Sequence, residues 1–369
     1  NTSLYETYSH FFHMNIDFNV GSWALSHSLH HWINDGLMAI FFFLIGLEIK
    51  REITAGELSN LKVAILPILA AIGGMVFPAL IYTSLNYETV GSAGWGIPMA
   101  TDIAFAISAL VLLGKRVPTA LVTFLVALAI VDDLGAVIVI ALFYTDTINM
   151  MALSLAGLMF VLMLAFNRFG IHMLLPYFIV GLLMWFFMLE SGVHATIAGV
   201  LAALAIPSTP KRVPSTLTKE AKVLLDEYDK YPVDENYQIN EEQKRILTNI
   251  RNKINEVETP AARLEHNLHL PVALIIIPIF ALANAGIKID FSSISTTIVE
   301  PVSLGIILGL IFGKVIGIFG VSYMAVKLKI AQLPKDSTLS QVFGVAFLGG
   351  IGFTMSIFVA DLAFINNPE

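Results

Sequence analysis

Two adjacent aspartates, Asp132 and Asp133, lie in the middle of an apolar run over residues 121–143. A charge at the centre of a bilayer costs roughly 3 kcal/mol on insertion scales, so such acids need a reason to be there. Burial and a like-charged neighbour both favour the protonated acid, and in a wet cavity the pair could exchange protons for a hard cation held by oxygen ligands. The alternative is a structural role, in which the two carboxyl groups only bond neighbouring helices.

Two further charges, Asp102 and Lys314, fall in the middle of other apolar runs. A lone buried ammonium would lose its proton, so we expect Lys314 to pair with Asp132 or Asp133. Its surroundings lack the glycine spacing and the Ser or Thr of a phosphate-binding loop. Three other acids lie nearer the ends of apolar runs, where snorkelling or contact with headgroups would explain them: Asp35, Glu48 and Asp361.

Helix-breaking residues interrupt two of the apolar runs. Pro98 and nearby glycines precede Asp102, and residues 349–352 read Gly-Gly-Ile-Gly. Two broken helices are typical of transporters whose half-helix ends form an ion site near the midplane, although close packing of small residues would also explain the glycines. In such a site Asp102 could offset the positive N-termini of half-helices, and Lys314 the negative C-termini.

The composition shows what must position these groups. Of the 369 residues, 56% are hydrophobic and 13% charged, and the mean hydropathy of +0.77 predicts an all-α polytopic membrane protein. The 21 Lys and Arg against 28 Asp and Glu, with no basic stripe, disfavour nucleic acid as a partner. The absence of cysteine excludes disulfides, thiolate metal sites and cysteine nucleophiles. Because the sequence starts with Asn1, we expect it to be a portion of a longer product.

Ten runs are apolar and roughly long enough to cross a hydrocarbon core, which takes about 20 residues per helix. Lys and Arg cluster in the connections after odd-numbered runs, whereas the connections after even-numbered runs contain only Lys288, so the odd side is predicted to be cytoplasmic and both ends external. The predicted spans are residues 32–49, 61–85, 95–113, 121–143, 151–166, 173–189, 193–206, 271–287, 302–324 and 342–365.

These spans divide the chain into four parts. Residues 1–30 form an external segment in which the alternation over 16–20 predicts a strand, residues 31–206 hold seven spans, and residues 271–369 hold three. Residues 207–270 form a long cytoplasmic loop with one amphipathic helix around Ile246–Val257, either packed on itself or serving regulation or a partner. Three external histidines have ligand-like spacing but no supporting carboxylate or thiol for a metal site: His27, His30 and His31.

Several long motifs resemble the NhaA-type sodium/proton antiporters, in the same order, from about residue 30 to residue 365. The similar runs are residues 32–35, 46–52, 100–105, 129–135 (AIVDDLG), 191–196, 263–266, 283–286 and 350–356. The resemblance implies an electrogenic exporter of Na⁺ or Li⁺ in exchange for protons, acting by alternating access in the bacterial inner membrane. No cofactor is implied. The implied fold has two inverted repeats with broken, crossing helices, and the first and last helices of the family have no counterpart here.

The resemblance also implies roles for individual residues. Asp133 would be the carboxylate that carries the cation and the protons, Asp132 its partner paired to Lys314, and Thr101 and Asp102 would lie at the helix crossing. Residues implied in pH regulation, which could equally be ordinary charged helix ends, are Glu48, Glu52, Glu265, His266 and His269 at the cytoplasmic funnel and His194 elsewhere. Residues 1–30 would form a hairpin that joins two copies into a homodimer.

Other functions remain as alternatives. An intramembrane aspartyl protease also needs paired aspartates, but on two helices rather than at adjacent positions in one. A membrane prenyltransferase would show further aspartates a turn away and basic residues for diphosphate, and neither flanks Asp133. A channel would conduct ions without coupling them, which only a transport measurement distinguishes.

Overall fold

The computed structural model describes residues 5–20, 23–145, 148–212, 214–231, 239–286, 292 and 294–364. A short helix and a β-hairpin precede a bundle of apolar helices, and two polar helices lie in the long loop. The principal elements are α1 (Tyr5–Phe12), β1 (Asn15–Val20), β2 (Trp23–Ser28), α2 (Leu29–Thr54), α3 (Leu61–Asn86), α4 (Val90–Met99, wound as a 3-10 helix), α5 (Ile103–Leu112), α6 (Thr119–Phe143), α7 (Met150–Arg168), α8 (Leu174–Glu190), α9 (Thr196–Ala205), α10 (Pro214–Tyr228), α11 (Glu241–Val257), α12 (Pro260–Asn284), α13 (Pro301–Lys327), α14 (Leu339–Leu348) and α15 (Phe353–Ala363).

Within these described residues, six single helices are long and apolar enough to cross a membrane, and α4/α5 and α14/α15 are two bent pairs that raise the number to eight. The helices α8 and α9 are apolar but shorter. Each of the ten predicted runs therefore contains helix, although the predicted ends at 287 and 365 lie outside the described residues. The protein is a multi-pass, all-α membrane protein.

The helix α12 begins earlier than predicted, so the expected boundary between loop and membrane domain at residue 270 falls inside a helix. The Thr259 hydroxyl caps its start by accepting a hydrogen bond from the Ala262 N–H at 3.2 Å, and Pro260 occupies the first turn. Both features favour helix initiation. This start was not predicted, because the residues that follow Pro260 include polar and charged ones and do not form an apolar run.

The segment before α2 defines one end of the molecule, which we call the hairpin end. β1 and β2 pair antiparallel from Asn15–Ser28 to Val20–Trp23, which confirms the predicted strand. The Tyr8 hydroxyl donates to the Leu282 carbonyl near the end of α12. At the opposite ends of α2 and α12, Arg51 contacts Glu265, and this side, next to the long loop, is the loop end.

Two copies of one pattern, a long helix followed by a broken one, run in opposite directions. α3 precedes the broken pair α4/α5, and α13 precedes α14/α15. Antiparallel packing of α3 and α13 brings Gly73 against Gly317 and Asn86 against Pro301. A Cβ on Gly317 would lie 2.1 Å from the Gly73 carbonyl oxygen, so only glycine permits this approach. The expected inverted repeat is therefore visible in these elements.

The membrane helices form two bundles. α3–α6 and α13–α15 pack on one another and carry the buried charges, so we call them the site bundle. α2, α7, α8, α9 and α12 pack mainly on one another and form the scaffold bundle. Contacts of α2 with α6 and of α12 with α15 join the two bundles.

The long loop contains two helices, α10 and α11, that pack together. α11 is the predicted amphipathic helix. α10 was not predicted, although Leu217, Ala221, Leu224 and Tyr228 recur at helical spacing. Ion pairs join the two helices and the preceding segment, with Glu220 bonded to Lys253 and Arg212, and Glu256 bonded to Lys211 and Arg212. The hydrogen bonds from Lys253 and Lys211 lower the pKa of Glu220 and Glu256, respectively. Ile246 is 1% exposed and provides the apolar contact.

Replacing Ile246 should loosen this helix pair without touching the membrane helices. Ile246→Ala deletes a buried side chain and should destabilise the pair by about 2 kcal/mol or more. Limited proteolysis of the purified protein in detergent should then cut residues 207–259 faster than in the parent chain. Ile254→Ala is the matched control, because Ile254 is 47% exposed; equal cleavage of the two variants would contradict this packing.

Candidate functional site

Non-helical segments of the two broken pairs cross in the middle of the site bundle. The bends are 40° between α4 and α5 and 49° between α14 and α15. The Asp102 N–H donates to the Ile351 carbonyl at 2.7 Å, and the Thr101 hydroxyl donates to the Gly349 carbonyl at 2.8 Å. Each broken segment thus satisfies backbone groups of the other, which is how irregular backbone is tolerated at membrane depth.

The Asp102 carboxylate lies where two half-helices begin. Its Oδ1 accepts from the Phe105 N–H at 3.2 Å and so caps α5. Its Oδ2 accepts from the Thr354 N–H at 3.2 Å and from the Thr354 hydroxyl, in the first turn of α15. A single buried carboxylate, 3% exposed, therefore offsets the positive ends of two helices, as the sequence predicted.

Lys314 lies on the other side of the crossing, where α4 and α14 end. Its Nζ donates to Asp132 Oδ2 at 2.6 Å and to the Thr101 hydroxyl at 2.8 Å, and Thr101 in turn donates to Gly349, the residue after α14. Turns of π-helix flank Lys314 on both sides, a feature that recurs at functional sites. The residues alone left Asp132 and Asp133 open as partners and the family resemblance implied Asp132, which is the pairing that the structure has.

The aspartate pair on α6 has spare oxygen atoms. Asp132 and Asp133 are each 1% exposed. Asp132 Oδ1 and both carboxylate oxygens of Asp133 accept no hydrogen bond from the described residues. Buried acceptors without partners are costly. Three such oxygens on adjacent residues can take a proton or coordinate a hard cation, and the Lys314 ammonium already neutralises part of this charge.

A chain of charged side chains extends from the loop end towards this pair. Arg51 contacts Glu52 at 3.1 Å and Glu265 at 3.2 Å, and Glu48 is close enough to these groups and to Asp133 to interact electrostatically with both. Two of the histidines named from the sequence are at the periphery of this group. His269 interacts with Glu265, while His266 is exposed.

His194 lies apart from these residues, at the hairpin end. Its Nε2 is 2.8 Å from the Tyr144 carbonyl, so it joins the scaffold bundle to the site bundle just past the end of α6. Two of the three histidines with ligand-like spacing also lie at the hairpin end: His31 Nδ1 contacts Asp35 at 3.2 Å, and His30 Nε2 contacts Asn284 at 3.0 Å. In the described part of the chain, no group of three His, Asp or Glu side chains is arranged to hold a metal.

Sequence reasoning missed two residues. Thr354 was not assigned, although a hydroxyl in the first turn after a Gly-rich break, mirroring Thr101, could have indicated a partner for Asp102. The interpretation of Asp361 as a headgroup contact was wrong, because its Oδ2 accepts from Asn34 Nδ2 at 2.6 Å. No pattern in the sequence alone could have joined side chains 327 residues apart.

The pairing of Lys314 predicts a specific stability pattern. Lys314→Met would leave Asp132 charged and unpaired, and breaking a buried pair in this way costs about 3–5 kcal/mol. The thermal unfolding temperature in detergent should fall, and adding Asp132→Asn should recover part of the loss. An unchanged unfolding temperature for the single variant would contradict the buried pair.

Comparisons with known sequences show what this chain is similar to. The sequence profile of the family described as "Na+/H+ antiporter 1" matches residues 1–369. The chain is 67% identical to the "Na(+)/H(+) antiporter NhaA" of Sulfurimonas denitrificans, over all of this chain and 83% of the relative. It is 49% identical to "Na(+)/H(+) antiporter NhaA 1" of Saccharophagus degradans and to the NhaA of Dichelobacter nodosus, in each case over all of this chain and 80% of the relative.

Proposed function

The chain belongs to the Na+/H+ antiporter 1 family, and on this premise we propose that it exports Na⁺ or Li⁺ in exchange for protons, electrogenically and by alternating access. The observation that carries the proposal concerns three buried carboxylate oxygens, one on Asp132 and two on Asp133. They accept no hydrogen bond from the described residues, and Asp132 also pairs with Lys314. Na⁺ and H⁺ are the substrates, and the proposal needs no resident cofactor.

The site suits competition between the two substrates. A dehydrated alkali cation requires several oxygen ligands, and Asp133 with the free oxygen of Asp132 supplies three of them. A cation that binds between the two acids repels the Lys314 ammonium, so the contact to Asp132 opens as the ion enters. When protons neutralise the acids instead, the cation has no charged ligand, and Lys314 loses its counter-charge. The site therefore holds either protons or the metal ion.

Transport then requires the loaded site to face each side of the membrane in turn. The charged groups at the loop end, Glu48 and those around Arg51, suit an entry path from the cytoplasm to Asp133. If more protons enter than cations leave, an inside-negative potential drives the cycle, by about 2.3 kcal/mol per charge per 100 mV. The contribution to the cell would be sodium and pH homeostasis at the bacterial inner membrane.

Regulation and assembly complete the proposal. Titration at the loop end would open or close the entry path with pH, through Glu48, Glu52, Glu265, His266 and His269. His194 at the hairpin end would add a second titrating contact between the bundles. The hairpin formed by β1 and β2 would join two copies edge to edge, because both of its strands are edge strands with unpaired backbone groups.

Removing one carboxylate should abolish exchange. Asp133→Asn deprives the site of a titratable group and of a charged ligand, so sodium added to vesicles that contain the variant should cause no proton movement. Asp17→Asn, in the exposed hairpin, is the matched control and should exchange normally. Unaltered exchange by Asp133→Asn would refute the assignment, and sodium flux without coupled protons in the parent chain would indicate a channel.

Competition predicts that the apparent affinity for sodium depends on pH. If one proton competes with one sodium ion, the sodium concentration for half-maximal binding should rise by up to about tenfold for each unit by which the pH falls below the titration range of the site. Calorimetry on purified protein in buffers of different ionisation enthalpy should also detect proton release when sodium binds. Sodium binding that releases no protons at any pH would disprove the competition.

A further inference from the structure

A second polar group, remote from Asp132 and Asp133, crosses between the two bundles at the hairpin end. Asn34 on α2 donates through Nδ2 to Asp361 Oδ2 on α15 at 2.6 Å and to Asn284 Oδ1 on α12 at 3.3 Å. Asn284 returns a hydrogen bond to Asn34 Oδ1 at 3.0 Å. The amide of Asn34 is thus bonded through both of its polar atoms, and it is 5% exposed.

These hydrogen bonds hold parts that alternating access must separate. Asn34 and Asn284 belong to the scaffold bundle, whereas Asp361 belongs to the site bundle. Asp361 lies seven residues, or about 10 Å, along the same face of α15 from Thr354, the partner of Asp102. A hydrogen bond to Asp361 therefore restrains α15, the half-helix whose first turn contacts Asp102 at the crossing.

A layer of phenylalanines from the same three helices lies next to the polar group. Phe42, Phe280 and Phe358 come from α2, α12 and α15, and each is 1% exposed. The ring of Phe358 lies 5.5 Å from that of Phe42 and 5.9 Å from that of Phe280. They belong to an apolar cluster that also contains Ala100, the residue before Thr101. Packed side chains therefore separate the site from the hairpin end, which the distribution of Lys and Arg assigns to the outside.

We propose that Asn34, Asn284 and Asp361 form an outer latch, a hydrogen-bonded group that ties α15 to the scaffold bundle while the site is closed to the outside and that must release before the site opens there. Asp361 is a positioning residue in this proposal, because it acts through α15 and does not touch the transported ion. The inference rests on the proposed antiport, since it names the contact that alternating access has to break.

The latch explains features that the ion site does not use. Asn34 lies in a turn of π-helix, over Trp32–Leu37, which aims its side chain away from the regular helical direction. A carboxylate as acceptor makes the bond from Asn34 stronger than one between neutral groups. Asn34 and Asn284 contribute neutral amides to the group, and His30 Nε2 lies 3.0 Å from Asn284 Oδ1. Such hydrogen bonds can stabilise the state that is closed to the outside and can still break when the site opens.

The absence of cysteine from the chain allows a direct test of accessibility. Ala100→Cys places one thiol in the apolar cluster next to the site, where the parent side chain is 2% exposed. A membrane-impermeant thiol reagent added outside right-side-out vesicles should label it slowly. Adding Asp361→Ala should raise the labelling rate by about tenfold, the shift expected when a hydrogen bond to a charged group is lost.

Two further variants separate the latch from a general loss of structure. Asp361→Asn keeps an oxygen that can accept from Asn34 but lacks the charge, so its labelling rate should lie between that of Ala100→Cys alone and that with Asp361→Ala. Asp17→Ala removes an exposed external carboxylate and should change nothing. If Asp361→Ala is not recovered from the membrane, Asn284→Ala breaks the same group and should also raise the rate. Labelling by either latch variant that is no faster than with Asp17→Ala would overturn the proposal.

Cross-linking tests the opposite state. In Asn34→Cys with Asp361→Cys, a short, reducible bifunctional thiol reagent should stop sodium-driven proton exchange, and a reductant should restore it. Full exchange by cross-linked protein would overturn the latch. Labelling of Ala100→Cys requires no ion gradient, so it can be interpreted even without transport. If the latch variants are labelled faster but the parent chain exchanges no protons for sodium, the result counts against the antiport and leaves the latch supported.

Discussion

Four helix ends meet in the middle of the site bundle, and the structure depends on neutralising them there. Asp102 receives the two N-terminal ends, of α5 and α15, and Lys314 with Thr101 lies at the two C-terminal ends, of α4 and α14. Lys314 then needs a counter-charge of its own, which Asp132 supplies at 2.6 Å. Asp133 is left as a buried acid in excess, and this excess is what a cation or a proton can satisfy.

The division into two bundles accounts for the positions of the polar and charged groups on either side of the site. Asp132, Asp133, Asp102 and Lys314 all belong to the site bundle and can move as one unit without losing their contacts. The groups that face this unit from α2 lie at its two ends, with Glu48 towards the loop end and Asn34 towards the hairpin end. The contacts between the bundles can therefore change while the hydrogen bonds of Asp102 at the crossing stay in place.

The candidates for pH regulation are divided in the same way. Glu48, Glu52 and Glu265 gather around Arg51 at the loop end, whereas His194 bonds the Tyr144 carbonyl at the opposite end. The helix pair of the long loop is tied to the membrane bundle at its base, where the Ala261 N–H donates to the Pro207 carbonyl, and its ion pairs are internal. A single titrating cluster is therefore too simple a description of how protons could affect this protein.

From the amino-acid sequence one can predict the class of the protein, the ten apolar runs, the two helix breaks and the four mid-span charges, because the cost of placing charge or broken backbone in hydrocarbon is large and local. Family motifs added the roles of Asp133 and its neighbours. The family resemblance also implied that Lys314 pairs with Asp132. The folded structure added that Thr354 completes the hydrogen bonds of Asp102 and that Asp361 bonds Asn34 instead of the membrane surface. Each of these choices depends on which faces of distant helices meet, and the spacing of residues along one helix carries no information about the partner that another helix presents.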